Sequence, residues 1–281
     1  MSNPLNADQR AFWNTRPGQT WARLQPLLDR QHAEAADILT ERACLTRGEA
    51  VLDVGCGGGD TTLRAAHAVG SGGGVVGLDI SAPILDVAKA RAAQSGLEHV
   101  SFVEADAQSY AAPAPFDIAI SRFGVMFFDD PVAGFAAIRE QLRPGGRICW
   151  VTWAGPAHNI LFRATAEIAA AHLGPGPKPD PSAPGPMALQ DIDRVTGLLD
   201  AAGFVDIDGE PIDGHLTMPE EAAALLITEL GPIGSRVRLE GGTEDQKNAM
   251  CADALARFSE FLTDGIYHVP ARYILYTANR P

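Results

Sequence analysis

Residues 51–60, VLDVGCGGGD, contain the pattern that decides the fold. An apolar run ends in Asp53-Val54, and four glycines follow with only Cys56 among them. The next residues, TTLRAAHA at 61–68, have a helix-forming composition. A strand, a glycine turn and a helix in this order open a doubly wound α/β fold, whose ligand lies beyond the carboxyl end of the strand. Glycines suit such a turn because they tolerate positive φ and let a ligand approach the backbone.

The charge at the start of this helix separates two kinds of cofactor. A dinucleotide site has Gly or Ala at the third position of its glycine fingerprint, where the helix N-terminus meets a pyrophosphate. In this chain Asp60 takes that position, three residues after Gly57. A carboxylate there opposes a diphosphate but suits a phosphate-free ligand with a cationic centre. The charge therefore favours S-adenosylmethionine, which has a sulfonium, an ammonium, a ribose diol and an adenine, over NAD.

Further motifs follow the glycine turn in a fixed order. Asp79 comes 24 residues after Gly55, at the tip of the second strand, where an acid can accept both ribose hydroxyls. The segment EAD at 104–106 follows the third strand, and the turn LRPGG at 142–146 leads into the fifth. Over about residues 10–155 the chain resembles the class I S-adenosylmethionine-dependent methyltransferases, in particular the small-molecule enzymes of the ubiquinone/menaquinone-biosynthesis type.

The resemblance implies a cofactor site. In the family an acid at the end of strand three reads the adenine amino group; Asp106 matches it, and Glu104 is the alternative that strand alternation disfavours. The backbone around Ser121, at the exit of strand four, is expected to face the methionine end of the cofactor. The predicted cofactor-binding residues are Asp53, Gly55, Gly57, Asp79, Ile80, Asp106, Ala107, Ser121 and Trp21, and the product is S-adenosylhomocysteine.

Composition narrows the class of partner. The chain has 281 residues, a net charge of −13 and no cluster of basic residues, so a small molecule is expected as substrate rather than nucleic acid. No apolar run is long enough to span a membrane, and the N-terminus lacks the pattern of a signal peptide. The four cysteines form no CxxC pair, which predicts neither a metal site nor disulfides and favours the cytoplasm. The oligomeric state stays open, with a homodimer as one option.

The first 45 residues are expected to form a helical lid over the cofactor. Residues 7–43 have helical composition, and Pro17 and Gly18 divide them into two predicted helices. In the resembling methyltransferases aromatic residues of this segment help to close the site. Trp21 is the first candidate for that role and Trp13 the second, although both indoles could simply pack the segment onto the core.

The core sheet is predicted to begin in residues 46–155 and to end in residues 156–281. A final antiparallel pair, residues 204–212 with 273–279, would complete a seven-stranded Rossmann-like sheet whose last strand is antiparallel. The Pro/Gly-rich segment at 174–187 is expected to be a flap. A helical insertion at 216–264 is expected to roof the substrate site.

The expected reaction is an in-line displacement at the sulfonium methyl, in which orientation supplies much of the rate. His158, five residues after Trp153 at the carboxyl edge of strand five, is the candidate general base. His215, Tyr267 and His268 are further candidates in the roof, while His32, His67, His99 and His172 are expected to be surface or packing residues away from that edge. The predicted function is methyl transfer to a small hydrophobic or aromatic metabolite. An NAD-dependent oxidoreductase and a non-catalytic S-adenosylmethionine-binding protein are the alternatives.

Overall fold

A computed structural model describes residues 6–176, 178 and 180–281 of the chain. Eight strands of the described part form one sheet, with the order β3-β2-β1-β4-β5-β8-β6 and with β7 paired to β8 beside this path. The strands are β1 (Ala50–Val54), β2 (Gly74–Asp79), β3 (Val100–Glu104), β4 (Phe116–Arg122), β5 (Leu142–Trp153), β6 (Val205–Pro219), β7 (Leu262–Thr263) and β8 (Ile266–Asn279).

The centre of the sheet is parallel and buried. β1 pairs in parallel with β2 on one side and with β4 on the other, and four of its five residues are buried. Parallel strands covered on both faces are continuously apolar, as Val51 and Leu52 illustrate. Because the strands run in parallel, their carboxyl ends meet at one edge of the sheet, where a doubly wound fold binds its ligand. The glycine turn after β1 therefore lies at that edge.

The far side of the sheet is antiparallel. β8 runs against both β5 and β6, and its register pairs Trp153 with Tyr273 at the carboxyl end of β5. The predicted α/β class with an antiparallel last strand is thus confirmed, with eight strands instead of seven because the two residues of β7 add a short arm to β8.

The helices pack against the sheet and against one another. Side chains cap the N-termini of some helices. Asp130 and Asp191 accept hydrogen bonds from backbone N–H groups, and Thr243 forms a capping box with Gln246. The helices are α1 (Ala7–Trp13), α2 (Arg16–Gln31), α3 (Ala33–Arg42), α4 (Asp60–Val69), α5 (Ala82–Ser95), α6 (Pro131–Gln141), α7 (Ile160–Leu173), α8 (Ile192–Ala201), α9 (Glu220–Glu229), α10 (Gly231–Glu240) and α11 (Glu244–Phe258).

The N-terminal segment has three helices where two were expected. The chain breaks after Trp13 and again at His32, while Pro17 lies in the first turn of α2, where its missing N–H leaves no intrahelical bond unmade. Gly18 does not end a helix. It lies inside α2, where a Cβ would collide with the carbonyl of Trp13, so its absent side chain lets α1 and α2 pack closely.

The helical insertion is shorter than the predicted 216–264. Residues 214–218 alternate between buried and more exposed positions, the two-residue period of a strand, so β6 continues to Pro219 and the helices occupy 220–258. His215 consequently lies on β6, and Tyr267 and His268 lie on β8, rather than in a helical roof.

The predicted flap at 174–187 remains a prediction, and two of its residues, 177 and 179, lie outside the described part. Its second half is tied to the core, because Gly185 N donates to the carbonyl of Met126 at 3.0 Å. None of the helices in the described ranges combines the length and apolarity needed to cross a membrane.

Candidate cofactor and acceptor site

The glycine turn has one packed face and one open face. Gly55 has φ +67°, and a Cβ there would lie 2.5 Å from Cα of Gly124, which follows β4. Gly57 also has a positive φ, +54°, but a Cβ there would meet no described atom within 4 Å. Gly55 therefore joins the exits of β1 and β4, whereas Gly57 faces the space that a ligand would occupy.

Asp53 lies beneath the turn, fully buried, and ties β1 to the start of α4. Its Oδ2 accepts hydrogen bonds from Thr61 Oγ1 at 2.7 Å and Thr62 Oγ1 at 2.6 Å. Its Oδ1 is buried without a hydrogen-bond partner among the described residues. Burial raises the pKa of Asp53 to about 6, and the threonine hydroxyls offset only part of that effect. Asp53 thus supports the turn from below instead of facing the open side.

Asp79, at the end of β2, borders the open face of the turn. Its Oδ2 accepts from Gly57 N and its Oδ1 from Ser81 N, both at 2.9 Å. A carboxylate offers about four acceptor positions, so two remain for ribose hydroxyls. Burial raises the pKa of Asp79, while these backbone N–H groups favour its ionised form.

Asp106 lies two residues after the end of β3 and is buried. Its Oδ1 accepts from Asn6 Nδ2 at 3.2 Å and from Gln108 N at 3.0 Å, and within the described ranges its Oδ2 has no bond, which leaves an acceptor for an adenine amino group. Ala107 is buried beside it. Glu104 is exposed and lies 3.8 Å from Arg10, so the geometry favours Asp106 over the alternative acid.

Ser121 and Ile80 contribute through contacts that hold loops together. Ser121 Oγ donates to the Val54 carbonyl at 2.7 Å and accepts from Gly124 N at 3.1 Å, which fixes the exit of β4 against the turn. The carbonyl of Ile80 accepts from Asn14 Nδ2 at 2.8 Å, so the N-terminal helices are anchored beside Asp79.

Asp60 does not present the free negative charge that the sequence suggested. Its Oδ1 accepts from Arg64 Nε at 3.1 Å, and its Oδ2 accepts from Arg122 Nη1 at 2.9 Å. Arg64 Nη1 also pairs with Asp37 Oδ1 at 2.6 Å, so the two guanidinium groups and the two carboxylates together carry no net charge. The paired carboxylate of Asp60 does not by itself exclude a diphosphate. Arg122, the last residue of β4, was not predicted to pair with the turn.

A cluster of aromatic rings lies where the lid meets the carboxyl ends of β4 and β5. The Phe123 and Trp153 rings stack with centroids 4.3 Å apart, and Trp21 stacks on His32 at 6.4 Å. Phe123 has φ +69°, a strained conformation for a bulky residue that is typical of functional sites. This aromatic cluster comprises Trp13, Trp21, His32, Phe123, Phe127, Trp153, Phe162 and Tyr273.

His32 is the member of the aromatic cluster that sequence reasoning misplaced. It was expected to lie away from the carboxyl edge, but its ring is 5.8 Å from that of Trp153 and only 8% of the residue is exposed. Burial and then the nearby Arg122 lower the pKa of His32 to about 3, so its ring is neutral. The spacing of Trp21, Leu28 and His32 on a helical face is the sequence signal that indicates this position.

His158 ends the short 3₁₀ turn Pro156–His158 after β5 and contacts β8. It is exposed, its Nδ1 is 3.3 Å from Arg272 Nη1, and it borders a surface pocket of about 230 Å³ with Asp213 and His215. Tyr267 is buried on β8, whereas His268 is exposed. The contacts described for His158 include no residue of the predicted cofactor site, so its role as a base remains a prediction.

The fold and the site together define a class of protein: a doubly wound α/β protein with a glycine cradle, two carboxylates along it and an aromatic cluster beside it. A family model described as a methyltransferase domain matches residues 51–146. The chain is also 34% identical over 226 residues to nocamycin O-methyltransferase of Saccharothrix syringae, covering 73% of this chain and 76% of that one. The chain belongs to the class I S-adenosylmethionine-dependent methyltransferases.

Other similar proteins share this fold or part of this sequence but methylate different atoms, carbon in one case and nitrogen in another. Ubiquinone/menaquinone biosynthesis C-methyltransferase UbiE of Shewanella frigidimarina is 32% identical over 123 residues, 43% of this chain and 49% of that protein. The chain spans about half the length of several curated relatives it matches. Phosphoethanolamine N-methyltransferase 2 of Haemonchus contortus, solved with S-adenosyl-L-methionine, shares the fold with a TM-score of 0.58 at 18% identity, over 97% of this chain and 60% of that one.

The residues of the site fit the cofactor of this family. Gly57 leaves room against the bare backbone, and the carboxylates of Asp79 and Asp106 still have free acceptor positions. A ribose diol and an adenine amino group are the donors that these acceptors require. Family membership, rather than the charge of Asp60, therefore identifies S-adenosylmethionine as the cofactor.

Proposed function

We propose that this protein transfers a methyl group from S-adenosylmethionine to a small, hydrophobic metabolite with a planar aromatic ring system. The observation that carries the proposal is the aromatic cluster at the carboxyl edge of the sheet. Five of its rings, from four separate parts of the chain, are only half-buried although each is large and apolar: Trp13, Trp21, Phe123, Phe127 and Phe162. Rings that converge while keeping accessible surface can stack on a planar acceptor.

The cluster is well placed to orient an acceptor toward the cofactor. Phe123 directly precedes Gly124, whose backbone packs against Gly55 of the turn. A wall of the acceptor site and the floor of the cofactor site are therefore joined through two glycines in close contact. Rigid orientation of two reactants can contribute about 7–11 kcal/mol to lowering a barrier. This junction supports catalysis that depends mainly on alignment.

The cofactor, when bound, supplies an electrophilic methyl group on its sulfonium. We assign Asp79 to the ribose hydroxyls and Asp106, with the backbone of Ala107, to the adenine. Trp21 closes the site from the lid, through its stacking on His32 and its edge contact with Trp13 at 5.6 Å. Asp53, Gly55 and Ser121 shape the turn and its junction with β4, and Gly57 and Ile80 line the open face.

Proton removal has two candidate histidines. His158 lies on the outer pocket, where its Nδ1 is 3.3 Å from Arg272 Nη1. His32 belongs to the aromatic cluster, where its neutral ring can accept a hydrogen bond but is strongly opposed to holding a proton. An acceptor that is already ionised, or that is nucleophilic without help, suits this environment.

The experiment that tests the proposal is an acceptor screen with methyl-labelled S-adenosylmethionine. The panel contains planar polycyclic phenols, aliphatic alcohols and amines of matched size, and a structured RNA. Label in the planar compounds is the expected result. Label only in aliphatic compounds or RNA would overturn the acceptor class. Binding of S-adenosylhomocysteine without methyl transfer to any acceptor would favour a non-catalytic, cofactor-binding protein.

A further inference from the structure

Arg122, at the carboxyl end of β4, lies on the same face of the sheet as two rings of the aromatic cluster. The register pairs Arg122 with Val151 of β5, and Trp153 of β5 with Tyr273 of β8. Cross-strand partners share a face of the sheet, and so do residues two apart on one strand, such as Val151 and Trp153. The side chain of Arg122 therefore leaves the sheet on the side of Trp153 and Tyr273.

Among the described residues, the Arg122 guanidinium uses only one of its nitrogens. Nη1 donates to Asp60 Oδ2 at 2.9 Å and to the His32 carbonyl at 3.4 Å. Nε and Nη2 make no hydrogen bond within the described ranges, and neither belongs to the fully buried polar atoms that lack a partner. Both nitrogens therefore share in the 11% of the side chain that is exposed. Nε and Nη2 form the planar fork of a guanidinium, which matches the two oxygens of a carboxylate.

The carboxylates near Arg122 have other partners and leave this fork open. Asp29 pairs with Arg91 at 2.8 Å, and Asp53 accepts hydrogen bonds from two threonine hydroxyls. Asp60 is shared with Arg64 and reaches only Nη1 of Arg122. Within the described part of the chain, no acid occupies the Nε–Nη2 edge.

The charge of Arg122 acts on the aromatic cluster. It helps to lower the pKa of His32, and it favours the ionised form of Tyr273 although burial raises the pKa of that hydroxyl. Phe123 stacks on Trp153 with centroids 4.3 Å apart and is only half-buried. An accessible cationic fork beside accessible rings suits a planar acid, because the rings can stack on its plane while the fork pairs with its carboxylate.

We propose that the Nε–Nη2 fork of Arg122 binds a carboxylate carried by the planar acceptor, so that the enzyme prefers aromatic acids to neutral rings of the same shape. The proposal rests on the acceptor class of the proposed function and narrows it. A bidentate pair fixes the direction of the carboxylate as well as its position, which makes Arg122 a specificity-determining residue. Because Asp60 and the His32 carbonyl hold Nη1, the fork is oriented before the acceptor binds.

The test compares two probes of matched shape, 2-naphthoate and 2-naphthamide, which differ in the charge of one group. Calorimetry with saturating S-adenosylhomocysteine measures both affinities. Wild-type protein is expected to bind 2-naphthoate at least about tenfold more tightly, as for hydrogen bonds to a charged group, and Arg122→Met should reduce this preference to within about twofold. Arg257→Met removes an arginine that is 55% exposed on α11, and this matched control should keep the wild-type preference.

A wild-type protein without the preference, or an Arg122→Met protein that keeps it, would overturn the proposal. Asp60→Asn provides a second measurement if Arg122→Met does not fold. Its amide oxygen can still accept from Arg122, while one negative charge beside the fork is removed. 2-Naphthoate should then bind at least about twofold more tightly than to wild type, and unchanged or weaker binding counts against the role of Arg122.

Cofactor affinity separates this role from the assignments on which it rests. S-adenosylhomocysteine carries a carboxylate of its own, whereas 5′-methylthioadenosine lacks the amino-acid end, and Arg122→Met should change neither affinity by more than about twofold. A loss confined to S-adenosylhomocysteine would place the fork on the cofactor and overturn the proposal. Wild-type protein that binds S-adenosylhomocysteine but neither naphthalene probe would overturn the planar acceptor class itself. Binding of 2-naphthamide alone would support that class and refute only the role of Arg122.

Discussion

Asp53 makes the stability of the protein depend on pH in a predictable way. Its carboxyl group is fully buried, and its pKa is raised from an ordinary value of 3.8 to about 6 in the folded protein. A raised pKa means that the folded state binds the proton more tightly than the unfolded state. The stabilising contribution is therefore complete below pH 3.8 and is lost as the pH rises through about 6. The whole effect is about 3 kcal/mol, since each pKa unit corresponds to about 1.4 kcal/mol.

The variant that isolates this contribution is Asp53→Asn, which cannot titrate and whose amide oxygen can still accept from both threonines. Urea unfolding without cofactor, at several pH values from 8 to 5, gives the free energy of unfolding of each protein. Relative to Asp53→Asn, the wild type should gain about 1.4 kcal/mol between pH 8 and pH 5. Contributions from other groups cancel in this difference. Asp245→Asn, at an exposed position of α11, controls for the loss of one charge. A difference that stays constant across this pH range would refute the reasoning.

Three other predictions concern the site. Gly55→Ala and Gly57→Ala form a matched pair, since both residues have positive φ. Thermal unfolding should show about 1–3 kcal/mol more destabilisation for Gly55→Ala, because only that Cβ meets Gly124, and equal stabilities would contradict the close contact. Calorimetry should show the greater loss of S-adenosylhomocysteine binding for Gly57→Ala. Asp79→Ala should weaken S-adenosylhomocysteine binding at least about tenfold in calorimetry while the protein still folds, and unchanged affinity would exclude Asp79 from the site. If His158 is the base, His158→Ala should lower the single-turnover rate about 10²–10⁴-fold with cofactor affinity nearly unchanged, and a loss below about tenfold would exclude that role.

The sequence alone was sufficient for the elements whose signal is local. The residues of VLDVGCGGGD form β1 and the turn, because apolar runs and glycines influence the conformation of their own segment of the backbone. Asp79 ends β2 and Asp106 follows β3 by two residues, so both lie at the edge where the carboxyl ends of parallel strands meet, and their contacts with the cofactor stay a prediction. The extension of β6 to Pro219 was missed, although its two-residue alternation is also a local signal.

Only the tertiary structure decided which distant groups meet. Asp60 looked like an unpaired charge until the fold brought Arg122 of β4 against it, and His32 looked peripheral until the lid placed it beside Trp153. The contact of Gly55 with Gly124 and that of Gln25 with Gly58 likewise join residues that are far apart in the chain. Periodicity and turn composition describe how a segment relates to its own neighbours. Charge pairing, burial and pKa depend on the packing of separate segments, which no single stretch of sequence specifies.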